Sequence, residues 1–534
     1  MNRKVIRTIV AIFTICFSLL PASSQNKYIT NDQFWDTADG QPIYSQGGGI
    51  FRFTDPDDGR QYYFWYGVHY RLAERYRADP SVTQNGTGFS DVTCYRSTDL
   101  MNWQAVGPVL TLEETRKKGF SGWVGRMGVC RMANGTYALF IQQDSHVLVA
   151  TSDSPKGPFL CHKTIDMKDR IGTSNTGDQT VFVDEDTGKA YLICSNAQGR
   201  NNTYICEIGM LDDGTIGLIS CKQVYNGESR EGNCMFKYKG KYYLCASNIY
   251  GWDSSYAYYL VADNVMGPYT PENKMEIMDG CERDYAHITQ TGFFYTVRGS
   301  QAETVVYCGD RWCDFAGNGL GYNQWVPLSF RGDRPYFNSL SQWSIDASTG
   351  LWSVGPDNNY VLNPSFEADR RGVPNPVKPR QEFMMGWDNV VVSGNKVSFD
   401  NPQCPHLNYI NTRDDRQHVI GEKSLCLADS FTDFERRVTQ VVESTPFVPL
   451  PDGRYRVTLN FRDTGTFTTL EATAESGGKT YRTDLKALKS GNQWTRTTFD
   501  VEVRGGRLTL TFHAKGPAMS QCLIDDVSMC RIAK

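Results

Sequence analysis

Two acidic residues and one amide stand at corresponding places in a repeated sequence pattern, and these residue types could perform acid–base chemistry. Asp178 opens the strand-like run Asp-Gln-Thr-Val-Phe-Val, and Glu231 opens Glu-Gly-Asn-Cys-Met-Phe. Gln290 stands at the corresponding place in a later repeat. Two carboxyl groups can act as proton donor and proton acceptor when their surroundings set their pKa values apart. The three residues are far apart in the sequence, so the fold must bring them together.

A turn followed by aromatic and aliphatic residues recurs along the chain and indicates how these residues meet. The clearest copies begin at Gly135, Gly188 and Gly240, and Gly292 begins a looser copy, with intervals of 53, 52 and 52 residues. A fifth copy, without its glycine, occupies residues 61–65. Repeated units of this size that contain strands are typical of a β-propeller, because one unit cannot bury its own apolar faces. We therefore predict five blades that close around an axis.

The repeat also predicts which residues open the innermost strand of each blade. Counting back about thirteen to fifteen residues within each copy gives Gly48 or Gly49, Gly125 or Arg126, Asp178, Glu231 and Gln290. The innermost strands of a propeller start close to its central channel. We therefore expect the two carboxyl groups and the amide to share one cavity.

The N-terminus has the order of a secretory signal peptide. Three basic residues, Arg3, Lys4 and Arg7, precede an apolar run over residues 9–20 and then small residues. This order predicts a signal peptide over residues 1–24 and export to the periplasm or the cell exterior. A membrane anchor is the alternative, but the run is too short to span a bilayer comfortably.

The rest of the chain divides into two β-rich parts. Residues 27–355 carry the repeats and are predicted to form the propeller. Residues 361–534 contain alternating runs such as Tyr455–Phe461 and Arg507–Phe512, which predict a β-sandwich. The predicted fold class is all-β, a five-bladed β-propeller followed by a β-sandwich.

Composition excludes several classes of partner. The formal net charge is −4 and no basic block occurs, which argues against nucleic acid and anionic membranes as partners. Neither Cys-x-x-Cys nor His-Glu-x-x-His occurs, so a zinc site has little support. Aromatic residues make up 13% of the chain, which suits both β-structure and sugar binding.

Three runs of the propeller resemble glycoside hydrolase family 43. They are Ser97–Trp103 (Ser-Thr-Asp-Leu-Met-Asn-Trp), Asp178–Leu192 and Glu231–Leu244. The resemblance implies a five-bladed propeller that hydrolyses glycosidic bonds of an oligo- or polysaccharide with inversion and requires no cofactor for catalysis. Residues 47–50 (Gly-Gly-Gly-Ile), residues 289–291 (Thr-Gln-Thr) and residues 309–312 (Gly-Asp-Arg-Trp) are most similar to the branch that contains exo-β-1,3-galactanases.

The resemblance also implies roles for the three residues. Glu231 occupies the place of the family's general acid, and Asp178 that of the residue that raises the pKa of the acid and orients it. Most members carry an aspartate as base at the start of the first inner strand, where this chain has residues 47–49, all glycine. In the galactanase-like branch a glutamine that matches Gln290 has the base role, either as an imidic acid or by orienting the water.

Five further residues of the propeller are candidates for substrate binding. Arg126, Arg283 and Arg311 could hydrogen-bond sugar hydroxyl groups, and Trp252 and Trp312 could stack on a sugar face.

The C-terminal part, which opens with Asn-Pro-Ser-Phe-Glu and closes with Ile-Asp-Asp-Val, resembles a galactose-binding-like carbohydrate-binding module. That resemblance implies a structural calcium site with Glu367 and Asp526 among its oxygen ligands.

Two departures from the galactanase-like pattern keep other functions open. Val68 stands where that branch has a glutamate after Trp-Tyr-Gly, and residues 125–127 (Gly-Arg-Met) stand where it has a glutamate before Arg-Pro. We expect an exo-glycosidase that removes galactose from β-1,3-linked galactan or arabinogalactan. The alternatives are an α-L-arabinofuranosidase or β-D-galactofuranosidase, and a catalytically inactive propeller that binds glycans.

Overall fold

The computed structural model describes residues 25–79, 86–119, 122–251, 255–284, 289–311, 323–368, 385–395, 407–409 and 423–532. Strands predominate in these residues, and the helices are short: α1 (Arg71–Ala78), α2 (Leu112–Lys117), α3 (Lys168–Ile171) and α4 (Leu485–Leu488). This confirms the predicted all-β class. The predicted signal peptide lies outside the described residues. In the described part of the chain no helix is long and apolar enough to cross a membrane.

Five four-stranded antiparallel sheets in the described residues are the blades of the propeller. Blades one and two consist of β2 (Gln46–Thr54), β3 (Gln61–Tyr70), β4 (Phe89–Ser97) and β5 (Gln104–Thr111), and of β6 (Val124–Arg131), β7 (Tyr137–Gln143), β8 (His146–Ser152) and β9 (Leu160–Ile165). Blade three consists of β10 (Thr176–Asp184), β11 (Lys189–Asn196), β12 (Asn202–Met210) and β13 (Ile216–Asn226). Blades four and five consist of β14 (Glu231–Tyr238), β15 (Lys241–Ser247), β16 (Tyr258–Ala262) and β17 (Glu276–Ile277), and of β18 (Gln290–Arg298), β19 (Glu303–Asp310), β20 (Asn323–Arg331) and β21 (Arg334–Phe337).

The blades close into a ring through their first strands. Strands β2, β6, β10, β14 and β18 are neighbours in that order, and β18 lies again beside β2. Buried aromatic residues fill the space between blades one and five, where Trp65 packs against both Trp103 and Trp325. The five-bladed propeller is therefore confirmed.

The start of the chain is bound to the end of the propeller. Strand β1 (Ile29–Thr30) pairs with β22 (Gln342–Asp346), which pairs with β23 (Leu351–Val354). The buried side chain of Asn31 donates to the carbonyl oxygens of Trp325 and Leu340, at 2.8 and 2.7 Å, and accepts from the Trp325 N–H at 2.9 Å. One amide side chain thus satisfies three buried backbone groups of blade five and its continuation.

Each inner strand opens with the same irregularity. The register between the first and second strands shifts after Gln46, Val124, Thr176, Glu231 and Gln290, and regular pairing resumes three residues later in every blade. Such β-bulges redirect side chains. By this register Glu231 corresponds to Gln290 and to Gln46, whereas Asp178 corresponds to Arg126. The predicted strand openings were therefore one to three residues too late in the first three blades.

The prediction that a looser copy of the repeat begins at Gly292 was wrong. Gly135, Gly188 and Gly240 lie in turns between first and second strands, but Gly292 lies inside β18, the inner strand of blade five. A Cβ atom at Gly292 would stand 2.4 Å from Asp310 Oδ2 and 2.6 Å from Arg126 Nη1. The glycine is needed for this close approach, and its matching interval was a coincidence of spacing.

The C-terminal part is a sandwich of two antiparallel sheets in the described residues. One sheet has the order β24 (Asp388–Ser393), β27 (Phe434–Glu443), β32 (Arg507–Gly516), β29 (Thr469–Ser476) and β30 (Lys479–Asp484). The other has the order β25 (Leu407–Tyr409), β26 (Lys423–Ala428), β33 (Gln521–Arg531), β28 (Gly453–Thr464) and β31 (Thr495–Val503). Residues such as Val457, Leu459, Leu508 and Leu510 fill the space between the sheets, as the alternating runs predict.

Replacing Asn31 with alanine tests the closure of the propeller. The substitution removes the Asn31 partner of the Trp325 N–H and of the Leu340 carbonyl oxygen, whereas the Trp325 carbonyl oxygen still accepts from Trp343 Nε1 at 2.7 Å. We therefore expect the free energy of unfolding to fall by about 2 kcal/mol. Urea unfolding followed by tryptophan fluorescence measures this difference. Asn134→Ala, at an exposed turn, is the matched control with a smaller expected effect. Equal effects of the two substitutions would contradict the role given to Asn31.

Candidate active site

A cavity of about 420 Å³ opens where the inner strands of blades two to five begin. Its walls come from the openings of β6, β10, β14 and β18, from the β7–β8 and β11–β12 turns, and from the segment after β15. The lining residues are Trp123, Arg126, Gln142, Asp144, Ser145, Thr176, Asp178, Ala197, Arg200, Glu231, Gly251 and Gln290. Asp178, Glu231 and Gln290 therefore share one cavity, as the repeat predicts.

Glu231 is buried and accepts a hydrogen bond at each carboxylate oxygen. The Gln290 amide Nε2 donates to Oε1 at 2.7 Å, and Arg200 Nη1 donates to Oε2 at 2.5 Å. Burial and the nearby charge of Asp178 raise the pKa of Glu231 to about 8, against the opposing effects of the Arg200 and Arg126 guanidinium groups and of the Gln290 hydrogen bond. A carboxyl group with this pKa holds a proton at neutral pH and can donate it.

Asp178 has the opposite electrostatic environment. Its Oδ2 accepts from the Gly232 N–H at 2.8 Å, and its Oδ1 lies 3.3 Å from Arg200 Nη1. Arg126 Nε is 3.8 Å from Oδ2. Although burial acts in the other direction, Arg200, Arg126 and the Gly232 N–H lower the pKa of Asp178. Asp178 is therefore ionised at the pH at which Glu231 is protonated.

Arg126 connects three blades beneath the cavity. Its Nη1 donates to Asp310 Oδ2 and its Nη2 to Gln290 Oε1, both at 2.7 Å. The guanidinium is almost fully buried, and Asp310 lies opposite Gln290 in the β18–β19 pairing. Asp310 Oδ1 in turn accepts from the Gly47 N–H at 3.0 Å. The Arg126–Asp310 ion pair thus fixes the amide that contacts Glu231.

Gln290 lies beside Glu231, not across the cavity from it. Its oxygen accepts from Arg126 and its nitrogen donates to Glu231, so both polar atoms are engaged. In inverting hydrolysis the acid and base stand about 6.5–9.5 Å apart, with water between the base and the sugar. In this arrangement Gln290 orients the acid. Its role as base stays a prediction and requires the side chain to turn away from Glu231.

The glycines at the start of the inner strand of blade one are required because side chains there would collide with neighbouring residues. A Cβ atom at Gly48 would lie 1.7 Å from the Tyr66 carbonyl oxygen, and one at Gly49 would lie 2.5 Å from the Phe293 ring. Strand β3 and Phe293 occupy the space that a side chain would need. The carboxylate nearest to this opening is that of Asp310, which contacts the Gly47 N–H.

The predicted substrate-binding residues divide into three groups. Arg126 lines the cavity, although its contacts are with the protein. Arg311 is completely buried, with Nη1 3.9 Å from Asp32 Oδ1, and Arg283 donates to the Gly386 carbonyl oxygen of the C-terminal part, so neither was found in the cavity wall. Trp252 and Trp312 lie outside the described residues.

Sequence reasoning missed two residues of the cavity wall that could contact a sugar. Trp123 is fixed by backbone hydrogen bonds with Asp144, whose Oδ1 accepts from the Trp123 N–H at 3.0 Å. Arg200 stands in the β11–β12 turn, with a side chain that is 31% exposed. The repeat predicts neither residue, because Trp123 precedes β6 and Arg200 lies in the turn between β11 and β12.

The predicted calcium ligands stay a prediction. Glu367 is buried, and Asp526 Oδ2 accepts from Asn460 Nδ2 at 3.2 Å. Calcium takes six to eight oxygen ligands. Across the described ranges no group of three or more His, Cys, Asp or Glu side chains could hold a metal ion. Among the described residues, further ligands of such an ion would be carbonyl groups or amides.

Glycoside hydrolases use a pair of carboxyl groups, and an inverting one needs an acid that holds its proton. Residues 74–315 match the sequence model of glycosyl hydrolases family 43. This part of the propeller is therefore similar in sequence to glycosyl hydrolases of that family.

Known proteins resemble the chain in part or along most of its length. A protein named beta-xylosidase from Formosa agariphila is 31% identical over 167 residues, which are 28% of this chain and 27% of that relative. The chain thus matches about a quarter of the length of this curated relative.

Among solved structures, an exo-β-1,3-galactanase from Clostridium thermocellum is 26% identical with a TM-score of 0.51, over 62% of this chain and 70% of the other. An exo-β-1,3-galactanase from Phanerochaete chrysosporium with β-1,3-galactotriose is 20% identical with a TM-score of 0.52, over 93% of this chain and all of the other. The second likeness concerns the fold.

The pKa values of the carboxyl pair predict the pH dependence of hydrolysis. If Glu231 is the proton donor, kcat/KM on an aryl glycoside should be maintained at neutral pH and fall as the pH rises through about 8, because Glu231 then loses its proton. Circular dichroism over the same pH range is the control for unfolding. A decline centred near the ordinary glutamate pKa of 4.5 would contradict the raised value.

Introducing the missing carboxylate should fail for steric reasons. We expect Gly48→Asp to destabilise the propeller by about 1–3 kcal/mol without raising kcat, because its Cβ collides with the backbone of β3. Thermal unfolding and an aryl-glycoside assay measure both effects. Asn134→Asp, which adds a carboxylate at an exposed turn, is the control. A stable and more active Gly48→Asp protein would overturn this reading of the glycines.

Proposed function

We propose that this protein is an exported, inverting exo-glycosidase that removes terminal galactose from β-1,3-linked galactan or from arabinogalactan side chains. The observation that carries the proposal is the pair Asp178 and Glu231, two carboxyl groups in one cavity whose environments set their pKa values apart. Galactose as the sugar is supported by the likeness of the fold to exo-β-1,3-galactanases. Export is supported by the order of basic, apolar and small residues over residues 1–24.

The reaction follows from the contacts of Glu231. Its carboxyl proton passes to the glycosidic oxygen, and the bond between that oxygen and the anomeric carbon breaks with its electron pair on the oxygen. A water molecule attacks the anomeric carbon from the opposite face, so the configuration is inverted. The proton that the water loses passes to the base, a role proposed for Gln290 as an imidic acid, which then releases a proton to solvent. Glu231 is then a carboxylate and regains a proton from solvent. Asp178 stays ionised and keeps the pKa of Glu231 high for the next cycle.

The cavity wall has features that suit a terminal sugar. Trp123 offers an aromatic face at the rim, held in place by Asp144. The Gln142 side chain and the Asp144 carboxylate supply further polar groups that can bond sugar hydroxyl groups. A compact well closed at its base by the buried Arg126–Asp310 pair favours attack at the chain end over attack within a chain.

The two β-rich parts would divide the work. We propose residues 27–355 as the catalytic unit and residues 361–534 as a glycan-binding unit, on the basis of the opening and closing motifs of the latter. In that unit Glu367 and Asp526 are the proposed ligands of a structural calcium ion.

A second candidate function is hydrolysis of a pentose or furanose substituent, as by an α-L-arabinofuranosidase or β-D-galactofuranosidase. It is favoured by the relative named beta-xylosidase and by Val68 and Gly125, which stand where galactanase-like sequences have glutamates. Release of reducing sugar from β-1,3-galactan and from a panel of aryl glycosides distinguishes the candidates.

Glu231→Gln tests the proposed reaction. The amide cannot donate the proton, so we expect turnover of β-1,3-galactan to fall by about 10²–10⁴-fold. Binding of galacto-oligosaccharides, measured by calorimetry, should persist because the side chain keeps its size and shape, although the amide can accept from only one of its two donors, Gln290 and Arg200.

Glu228→Gln is the matched control, because Glu228 is exposed and pairs with Arg230. Undiminished turnover in Glu231→Gln would contradict the assignment of the acid. A wild-type protein that binds these sugars but hydrolyses none of the panel would indicate an inactive glycan-binding propeller.

A further inference from the structure

Arg200 contacts the Glu231 carboxyl oxygen from which a proton would have to pass to the substrate. Glu231 Oε1 faces the Gln290 amide, which is held from below by Arg126. The other oxygen, Oε2, faces Arg200 Nη1 at 2.5 Å, on the side of the β11–β12 turn. A guanidinium has only hydrogen-bond donors, so it cannot accept the proton that Glu231 has to deliver.

A glycosidic oxygen therefore competes with Arg200 for the same carboxyl oxygen. Proton transfer needs the leaving oxygen within hydrogen-bond distance of the acid. Since Oε1 is bound to an amide that the buried Arg126–Asp310 pair fixes, Oε2 is the oxygen that can be released. We propose that Arg200 is a positioning residue that covers the Glu231 carboxyl group in the free enzyme and that the leaving group of the substrate displaces it onto Asp178. This inference rests on the proposed glycosidase function.

The surroundings of Arg200 permit this movement. Its side chain is 31% exposed, whereas that of Arg126 is 2% exposed and bonded at both ends. The backbone of Arg200 is anchored, because its carbonyl oxygen accepts from the Arg230 N–H at 2.8 Å. Asp178 Oδ1 is already 3.3 Å from the same Nη1 atom, so a small rotation of the side chain exchanges one carboxylate partner for the other.

The displacement would also change the acidity of Glu231. The groups that face it are Asp178 from β10, Arg126 from β6, Gln290 from β18 and Arg200 from the β11–β12 turn. Of these, Asp178 raises the pKa of Glu231, and Arg200 lowers it by charge. Moving the Arg200 charge from Glu231 towards Asp178 weakens the lowering of the Glu231 pKa by Arg200. Substrate binding would thus make Glu231 hold its proton more firmly until the leaving oxygen develops charge.

The test compares wild type with Arg200→Gln and Arg200→Lys. The carboxyl group of Glu231 is titrated by ¹³C NMR in the full-length protein, with assignment from Glu231→Gln. Each titration is done alone and with an S-linked β-1,3-galactobiose, which binds without being cleaved. The pH profile of kcat/KM on 4-nitrophenyl β-D-galactoside is measured in parallel. Arg298→Gln is the matched control, since Arg298 is a similarly exposed, ion-paired arginine at the far end of β18.

We expect the pKa of Glu231 in the free protein to rise by about one pH unit in Arg200→Gln, and the alkaline limb of kcat/KM to move with it. Arg200→Lys should restore much of the wild-type value because it restores the charge. The thio-disaccharide should raise the pKa in wild type and leave that of Arg200→Gln unchanged. Arg298→Gln should behave as wild type.

An unchanged Glu231 titration in folded Arg200→Gln would overturn the inference, as would a wild-type titration that the thio-disaccharide leaves unmoved. A uniform loss of kcat/KM at every pH would also overturn it, because that is the signature of a structural role. Failure of the glycosidase proposal looks different. Wild type would then release no sugar from any substrate, while the titration of the free protein would still decide whether Arg200 controls Glu231.

Discussion

The buried guanidinium of Arg126 is the constraint on which the rest of the site depends. A charge in this position is costly unless ion pairs and hydrogen bonds compensate it, and Asp310, Gln290 and Asp178 supply that compensation from blades five and three. These groups meet only when the ring of blades is closed. The geometry of the acid is therefore tied to the closure of the propeller, because Arg126 holds the amide that orients Glu231. Gly292 belongs to the same arrangement, since any side chain there would collide with the ion pair.

The two carboxyl groups differ because their partners differ. Asp178 receives a backbone N–H and lies near two guanidinium groups, which stabilise its anion. Glu231 receives one amide and one guanidinium, is buried, and lies beside the Asp178 charge, which destabilises its anion. Like charges in one cavity cannot both form at low cost, so the proton stays on the residue with the poorer compensation. The division of work between the two residues thus follows from hydrogen bonding and charge and not from residue type.

The sequence predicts the fold and the central residues because both depend on repetition. The recurring turn-and-strand motif indicates five blades, and it places Asp178, Glu231 and Gln290 within two residues of the openings of their inner strands, which is close enough to predict one shared cavity. The assignment of Gly292 failed because its spacing imitates the repeat, while the real turn of blade five lies between β18 and β19. Asp310 and Arg200 could not be identified as partners, since their contacts cross between strands and blades whose register the sequence does not reveal. Arg311 was expected among the cavity residues, but its side chain is buried near Asp32, a residue far away in sequence.

The proposed reaction depends on Glu231 being the proton donor. The most direct measurement is the loss of kcat on removing the Glu231 carboxyl group, determined for leaving groups of different basicity. Wild type and Glu231→Ala are compared on two β-galactosides with the same sugar, one with a strongly basic leaving group and one with 2,4-dinitrophenolate, which departs without a proton. We expect Glu231→Ala to lose much of the wild-type kcat on the first substrate and little on the second. Equal losses on both would contradict it.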